Sequence, residues 1–338
     1  MSGALLDVRD LRRHFPIKGG LFNRRTATVR AVDGVSFHVD TGETLGVVGE
    51  SGCGKSTTAR LVMHLIGHDE GNIAFDGKTV GSSQMPLKEL RRNMQMVFQD
   101  SFASLNPRLT IEESIAFGPK VHGLGATAAR DRARDLLAKV GLNPAQFIRR
   151  YPHELSGGQR QRVNIARALA LQPKLVILDE SVSALDKSVQ AQVLNLLADL
   201  KQEFNLTYLF ISHDLNVVQY MSDRVMVMYL GQVVEIGPVS ALYHEPAHPY
   251  TGALLSAMPS LDPDARTVVP PLTGDPPNPI NPPSGCRFRT RCPHAEAVCE
   301  QQVPSLAKVG DGHLAACHLM NPTSGHSKVG QIRVAVKR

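Results

Sequence analysis

The chain has 338 residues, 42% hydrophobic and 20% charged, ordinary values for a globular protein long enough to bury a full core. No apolar run approaches 18 residues and the N-terminal stretch carries charges instead of an apolar h-region, so the sequence predicts no membrane span, no signal peptide and a cytosolic protein. The net charge of +6 comes with no Trp and no basic cluster interleaved with aromatics, which argues against nucleic-acid binding.

Residues 5–40 alternate in the β manner, with Val8, Leu11 and Phe15 before a basic segment from Lys18 to Arg30 and a second strand over Val32 to Val39. Phe15 has two readings: an adenine-stacking aromatic, or a core side chain of an edge strand. Thr44 to Val48 predicts a buried strand and Ser56 to Met63 a helix. Between them lies Gly49-Glu50-Ser51-Gly52-Cys53-Gly54-Lys55-Ser56-Thr57, which fits G-x-x-x-x-G-K-[ST] at every fixed position. Its glycines let the backbone close on a ligand, its amides converge on phosphate oxygens, Lys55 adds a point charge and Ser56 offers a hydroxyl to Mg²⁺.

Gly71 to Gly77 reads as a strand, Lys88 to Arg92 as a basic helix, and Met94 to Phe98 as an apolar strand ending at Gln99. Residues 110–150 are helical and polar. Leu155-Ser156-Gly157-Gly158-Gln159 opens a helix running to about Ala170. Ser156 suits its N-cap, and the paired glycines permit close backbone approach at a second anion-binding helix start. Leu175 to Glu180 is apolar enough for a central parallel strand and ends in two carboxylates, Asp179 placed for Mg²⁺ and Glu180 for polarising water. A helix over Ala184 to Phe204 presents Val189, Val193, Leu196, Leu197, Leu200 and Phe204. Tyr208 to Ser212 is the next strand, with His213 at its end, and Arg224 to Gly237 forms a hairpin turning near Gly231.

Composition shifts near residue 258. Pro259 to Pro283 holds nine prolines and reads as a linker or wrapping arm. Cys286, Cys292, Cys299 and Cys317 follow in the spacing C-x₅-C-x₆-C-x₁₇-C, and the stretch from Met320 reads as frayed. Cytosolic disulfides are disfavoured. A C-x₂₋₄-C zinc knuckle is missing. An iron–sulfur cluster, zinc and four reduced thiols all remain open on spacing alone.

In this order the phosphate loop, Gln99, Leu155 to Gln159, the Leu175 to Glu180 strand, Ser183-Ala184-Leu185-Asp186 and His213 resemble the Walker A, Q-loop, signature, Walker B, D-loop and H-loop of ABC ATPases. Ser104 to Arg108, Tyr151 to Glu154, His248 to Thr251, Asn281 to Cys286 and Arg291 to Pro293 resemble ATP-binding subunits of oligopeptide and dipeptide importers. Ser181 departs from that pattern, which has Pro there. The resemblance implies an α/β P-loop (RecA-like) fold with an antiparallel β edge. It implies an ATPase domain over 1–258, an inserted helical subdomain at about 97–160, and a Pro-rich linker with a Cys-containing extension over 259–338.

The implied function is ATP hydrolysis that powers import of di- and oligopeptides. Related importers carry nickel, opines or other small solutes, and a non-transport ABC ATPase is a further alternative. Implied partners are a second, paralogous ATPase subunit, two transmembrane permease subunits and, indirectly, a solute-binding protein, on the cytoplasmic face of the inner membrane. Implied roles put Gly49 to Thr57 on the phosphates and Ser56, Gln99 and Asp179 at Mg²⁺. Glu180 is the general base and His213 meets the γ-phosphate. Ser156, Gly157, Gly158 and Gln159 act on the nucleotide of a facing subunit. Peptide-importer subunits with all four cysteines look like carriers of a 4Fe-4S cluster.

Overall fold

The computed structural model describes residues 3–19, 24–258 and 277–331. The chain divides into two compact units, one of Met1–Asp7, His38–Thr44 and Ala74–Ser212, the other of Val8–Phe37, Leu45–Ile73 and His213–Arg338.

In the first unit, Leu175–Asp179 runs parallel to Met94–Val97 on one side and to Thr207–Ile211 on the other. Every residue of Leu175–Asp179 and Thr207–Ile211 is buried, as expected of strands covered on both faces. The helices Ile111–Val121, Ala126–Lys139 and Gly157–Leu169 pack on one another, burying Ile115, Ala129, Ala133, Leu136 and Val163. Thr110 starts the first with a capping box: its hydroxyl accepts from the Glu113 amide, and the Glu113 carboxylate accepts from the Thr110 amide. The helix expected over 184–204 begins at Lys187, after a turn. Its buried face carries Gln190, Val193, Leu194, Leu197 and Leu200, while Leu196 and Phe204 are only half-buried.

In the second unit, Thr44–Val48 pairs in parallel with Arg224–Tyr229, from Leu45 opposite Arg224 to Val48 opposite Val227. The hairpin to Gln232–Pro238 follows, turning at Gly231 as expected. His313–Ala315 then adds antiparallel to Gln232–Pro238, and Ala307–Gly310 pairs with His313–Ala315. The C-terminal region therefore extends a sheet begun by the strand before the phosphate loop. Strands Ala4–Gly19, Arg24–Asp40 and Glu70–Phe75 give this unit most of their length. They are neighbours in a second sheet, in the order Arg24–Asp40, Ala4–Gly19, Glu70–Phe75.

The buried carboxylate of Glu235 fastens the C-terminal strands. It accepts from the amides of Ala247 and His248 and lies 2.7 Å from His313 Nε2. The fraying expected from Met320 is not found up to residue 331. His326 is buried with Nε2 2.9 Å from the His294 carbonyl, and the Ser327 amide and hydroxyl donate to Glu296. Polar side chains there are spent on local hydrogen bonds, which composition alone cannot reveal. Most of the Pro-rich stretch, 259–276, lies outside the described residues. Among the described residues no helix is long and apolar enough to cross a membrane.

Candidate functional site

The phosphate loop belongs to the second unit. Gly49 and Gly54 have φ of 146° and 107°, and a Cβ on them would lie 2.2 Å from the Met228 carbonyl oxygen and 2.3 Å from that of Ala31. These two glycines are needed because the loop is pressed onto neighbouring backbone. Gly52, φ 77°, faces open space instead. Helix Lys55–Val62 starts from Gly54 with no side-chain cap on its amides. Lys55 is buried, and its ammonium donates to the carbonyls of Gly49 at 2.7 Å and Glu50 at 3.1 Å, spanning the loop. Cys53 is buried beneath it, and burial pushes its thiol pKa up. Ser51 is exposed, and Ser56 and Thr57 are half-buried.

Glu50 is fixed twice. Its amide donates to the Tyr250 hydroxyl at 2.9 Å, and its carboxylate accepts from both terminal nitrogens of Arg291, at 2.8 and 3.1 Å. Phe15 is half-buried in the same unit, with the Arg13 guanidinium 4.9 Å from its ring centre. His213 lies exposed just ahead of Asp214, which caps helix Leu215–Met221.

The first unit holds the carboxylates. Asp179 is buried at the end of its strand. Glu180 takes up φ 47°, its amide donates to the Ile211 carbonyl at 2.9 Å, and its carboxylate accepts from the Gln99 amide at 2.8 Å. Ser181, the departure from the family pattern, is buried with no hydrogen-bond partner for its hydroxyl among the described residues.

Ser156 and Gln159 form a reciprocal capping box, Ser156 N to Gln159 Oε1 at 3.0 Å and Gln159 N to Ser156 Oγ at 3.3 Å. Sequence reasoning gave Gly158 to ligand approach. The structure adds an internal reason, because a Cβ there would lie 2.5 Å from Val189 Cγ1. Asn164 and Arg167, which sequence reasoning passed over, bind the loop after Gln99 to this helix. Asn164 donates to the Ser101 carbonyl and accepts from the Ser104 hydroxyl, and Arg167 donates to the Ser104 carbonyl. They share one helix row with Arg160 and the buried Gln161, and that polar row at helical spacing was the available signal.

Cys286, Cys292, Cys299 and Cys317 all line one small space with His294 and His318. Burial, reinforced by the neighbouring thiols, pushes Cys286 up to about 11 and Cys317 up to about 12. None is in a disulfide. The four donors suit an iron–sulfur cluster in kind. Among the described residues, however, no group of three or more His, Cys, Asp or Glu stands at metal-holding spacing, and the space measures about 10 Å³.

Two family models match the chain, the ABC transporter model over residues 32–183 and the oligopeptide/dipeptide transporter C-terminal region over residues 234–299. The oligopeptide transport ATP-binding protein AppF of Bacillus subtilis is 52% identical over 322 residues, covering 93% of this chain and 97% of the relative. The corresponding OppF of Salmonella typhimurium is 51% identical over 328 residues, covering 94% and 97%. Among solved structures, cbiO1 of Clostridium perfringens, part of the cbiONQ ABC transporter complex, matches at a TM-score of 0.61 with 27% identity, over 71% of this chain and 90% of that one. The ATP-binding cassette MJ0796, a dimer in a post-hydrolysis state with ADP and Pi, matches at 0.60 with 27% identity, over 69% and 98%. With identity above half across almost the whole length of its relatives, the chain belongs to the ABC transporter ATP-binding proteins, in the group of oligopeptide transport ATP-binding subunits.

Proposed function

We propose that this chain binds and hydrolyses ATP to drive import of di- and oligopeptides through a membrane ABC transporter. The observation that carries the reading is the tightly packed phosphate loop, with Lys55 folded across it, in a chain whose strand-end carboxylate Glu180 is held by Gln99. Phosphoryl transfer needs positioning and charge stabilisation more than covalent chemistry, and these residue types supply both. In this reading Gly49 to Thr57 hold the phosphates, Ser56, Gln99 and Asp179 serve Mg²⁺, Glu180 orients and deprotonates water, and His213 meets the γ-phosphate. Mg²⁺ supplies neutralisation of charge on the phosphate oxygens. Ser156, Gly157, Gly158 and Gln159 serve the nucleotide of a paralogous subunit facing this one.

Residues 1–258 act as the ATPase domain and residues from 259 as a linker and extension. Partners are two permease subunits and, through them, a solute-binding protein, with the chain peripheral on the cytoplasmic face of the inner membrane. Exposed Phe102, Phe117, Val121 and Tyr151 support docking of a permease segment on the first unit. The four C-terminal thiols hold a structural 4Fe-4S cluster, a reading supported by their convergence on one space.

The test is reconstitution with the permease subunits in liposomes. ATP-dependent uptake of a labelled oligopeptide is expected, and hydrolysis without peptide uptake would redirect the reading to another small solute.

A further inference from the structure

The phosphate loop carries a negative charge of its own. Glu50 is its second residue, in a segment shaped to receive anionic phosphates. Unpaired, that carboxylate would repel the triphosphate. It is instead paired side-on with Arg291, whose side chain is 5% exposed against 23% for Glu50. Such bidentate pairs fix geometry as well as charge. The Tyr229 hydroxyl lies 3.5 Å from the same guanidinium. Phe288 packs on both Tyr229 and Tyr250, with ring centres 5.4 Å apart in each case, and Tyr250 holds the Glu50 amide. A single loop residue is thus gripped at backbone and side chain by one aromatic and cationic cluster, part of which comes from the C-terminal extension.

Anchoring of the extension does not depend on Arg291 alone. Arg287 is buried and donates to the Leu230 carbonyl and to the Asp33 carboxylate. Arg291 therefore does something Arg287 does not: it reaches the phosphate loop itself.

We propose that Arg291 is a positioning residue for nucleotide binding, through which the C-terminal extension neutralises Glu50 and holds the phosphate loop in its receptive shape. The inference rests on the ATPase reading of the loop and on no particular occupant of the thiol cavity. It makes a residue 241 positions downstream part of the ATP site.

The experiment uses the full chain assembled with its partner subunits and reads KM for ATP and kcat separately, with a fluorescent ATP analogue reporting affinity. Arg291→Ala should raise KM about tenfold and leave kcat within about twofold, because it removes a ground-state interaction. Arg289→Ala, a substitution in the same segment where the side chain meets Ser284 and Glu300 instead, should leave KM unchanged. Adding Glu50→Gln to Arg291→Ala should bring KM back toward the wild type, since the uncompensated charge is gone. If Arg291→Ala does not fold, Arg291→Lys carries the test, with a rise of about threefold that Glu50→Gln again reverses. A KM within twofold of wild type for both Arg291 variants, an equal rise with Arg289→Ala, or a further rise in the double variant would overturn the proposal. Failure of the wild type to bind the analogue at all would sink the ATPase reading instead.

Discussion

Gln99 donates its side-chain amide to the carboxylate of Glu180 at 2.8 Å. The sheet register places this pair: Val97 lies opposite Leu178, and Gln99 and Glu180 each follow two residues later. Two parallel strands therefore deliver an amide and a carboxylate to the same edge, where α/β sheets present their ligands.

If Glu180 is the general base, Glu180→Gln should cut turnover by about 10²-fold or more while ATP affinity survives. Steady-state hydrolysis by the assembled complex, beside fluorescent-nucleotide binding, checks both halves. Near-normal hydrolysis would remove the assignment.

The packing of Gly158 against Val189 changes what a substitution there reports. Gly158→Ala should lower the melting temperature by several degrees, because the added methyl meets Val189 Cγ1. Val189→Ala in the same chain should recover most of that loss by making room. A Gly158→Ala protein that melts with the wild type would show that the helices part easily there. An acidic substitution at Gly158 would mix this clash with repulsion of phosphate.

Much of this architecture was legible in the chain. The phosphate loop, the Leu175 to Asp179 strand and the hairpin at Gly231 are set by local signals: fixed glycines, an apolar run and a turn residue. The Glu50–Arg291 pair was not legible, since nothing local to either residue points to a partner 241 positions away. The same holds for Glu235, a charged residue in a strand pattern that reads as exposed until His313 and the Ala247 and His248 amides cover it. The order of residues 321–331 was missed for a third reason. Small polar domains are held by specific hydrogen bonds, and a composition reading does not see them.

Burial holds His248 down to about 4, with the nearby Glu235 carboxylate opposing the shift. Its Nδ1 accepts from the Tyr250 amide, so the neutral ring caps helix Pro249–Ser256. The unfolded chain takes up this proton near pH 6.5, and the folded chain resists until about pH 4. The His248 contribution is thus fully present above about pH 6.5 and is lost as pH falls toward 4. His248→Asn keeps an oxygen acceptor for the cap and removes the titration. Thermal melts from pH 7 to 4.5 should fall more steeply for the wild type than for the variant. Parallel curves would show that His248 is not the group that titrates.

The four cysteines give the last prediction. Burial raises the pKa values of Cys286, Cys292 and Cys317, so as free thiols these three stay protonated at neutral pH. Metal ligation needs thiolates, and a bound cation would offset the cost of ionising thiols in this buried space. The small segment carrying them has few apolar side chains and needs a staple to hold its fold. Anaerobically purified protein should therefore be brown, with about four irons per chain. Cys292→Ser should bleach it and increase proteolysis between residues 277 and 331, with less effect on the first unit. Chelation of the metal should loosen the same segment. Colourless protein free of iron from an anaerobic preparation would remove the cluster. Zinc in its place would leave the staple argument standing with another ion, and a metal-free, protease-resistant extension would mean that the hydrogen bonds of Glu235, His318 and His326 hold the fold without help.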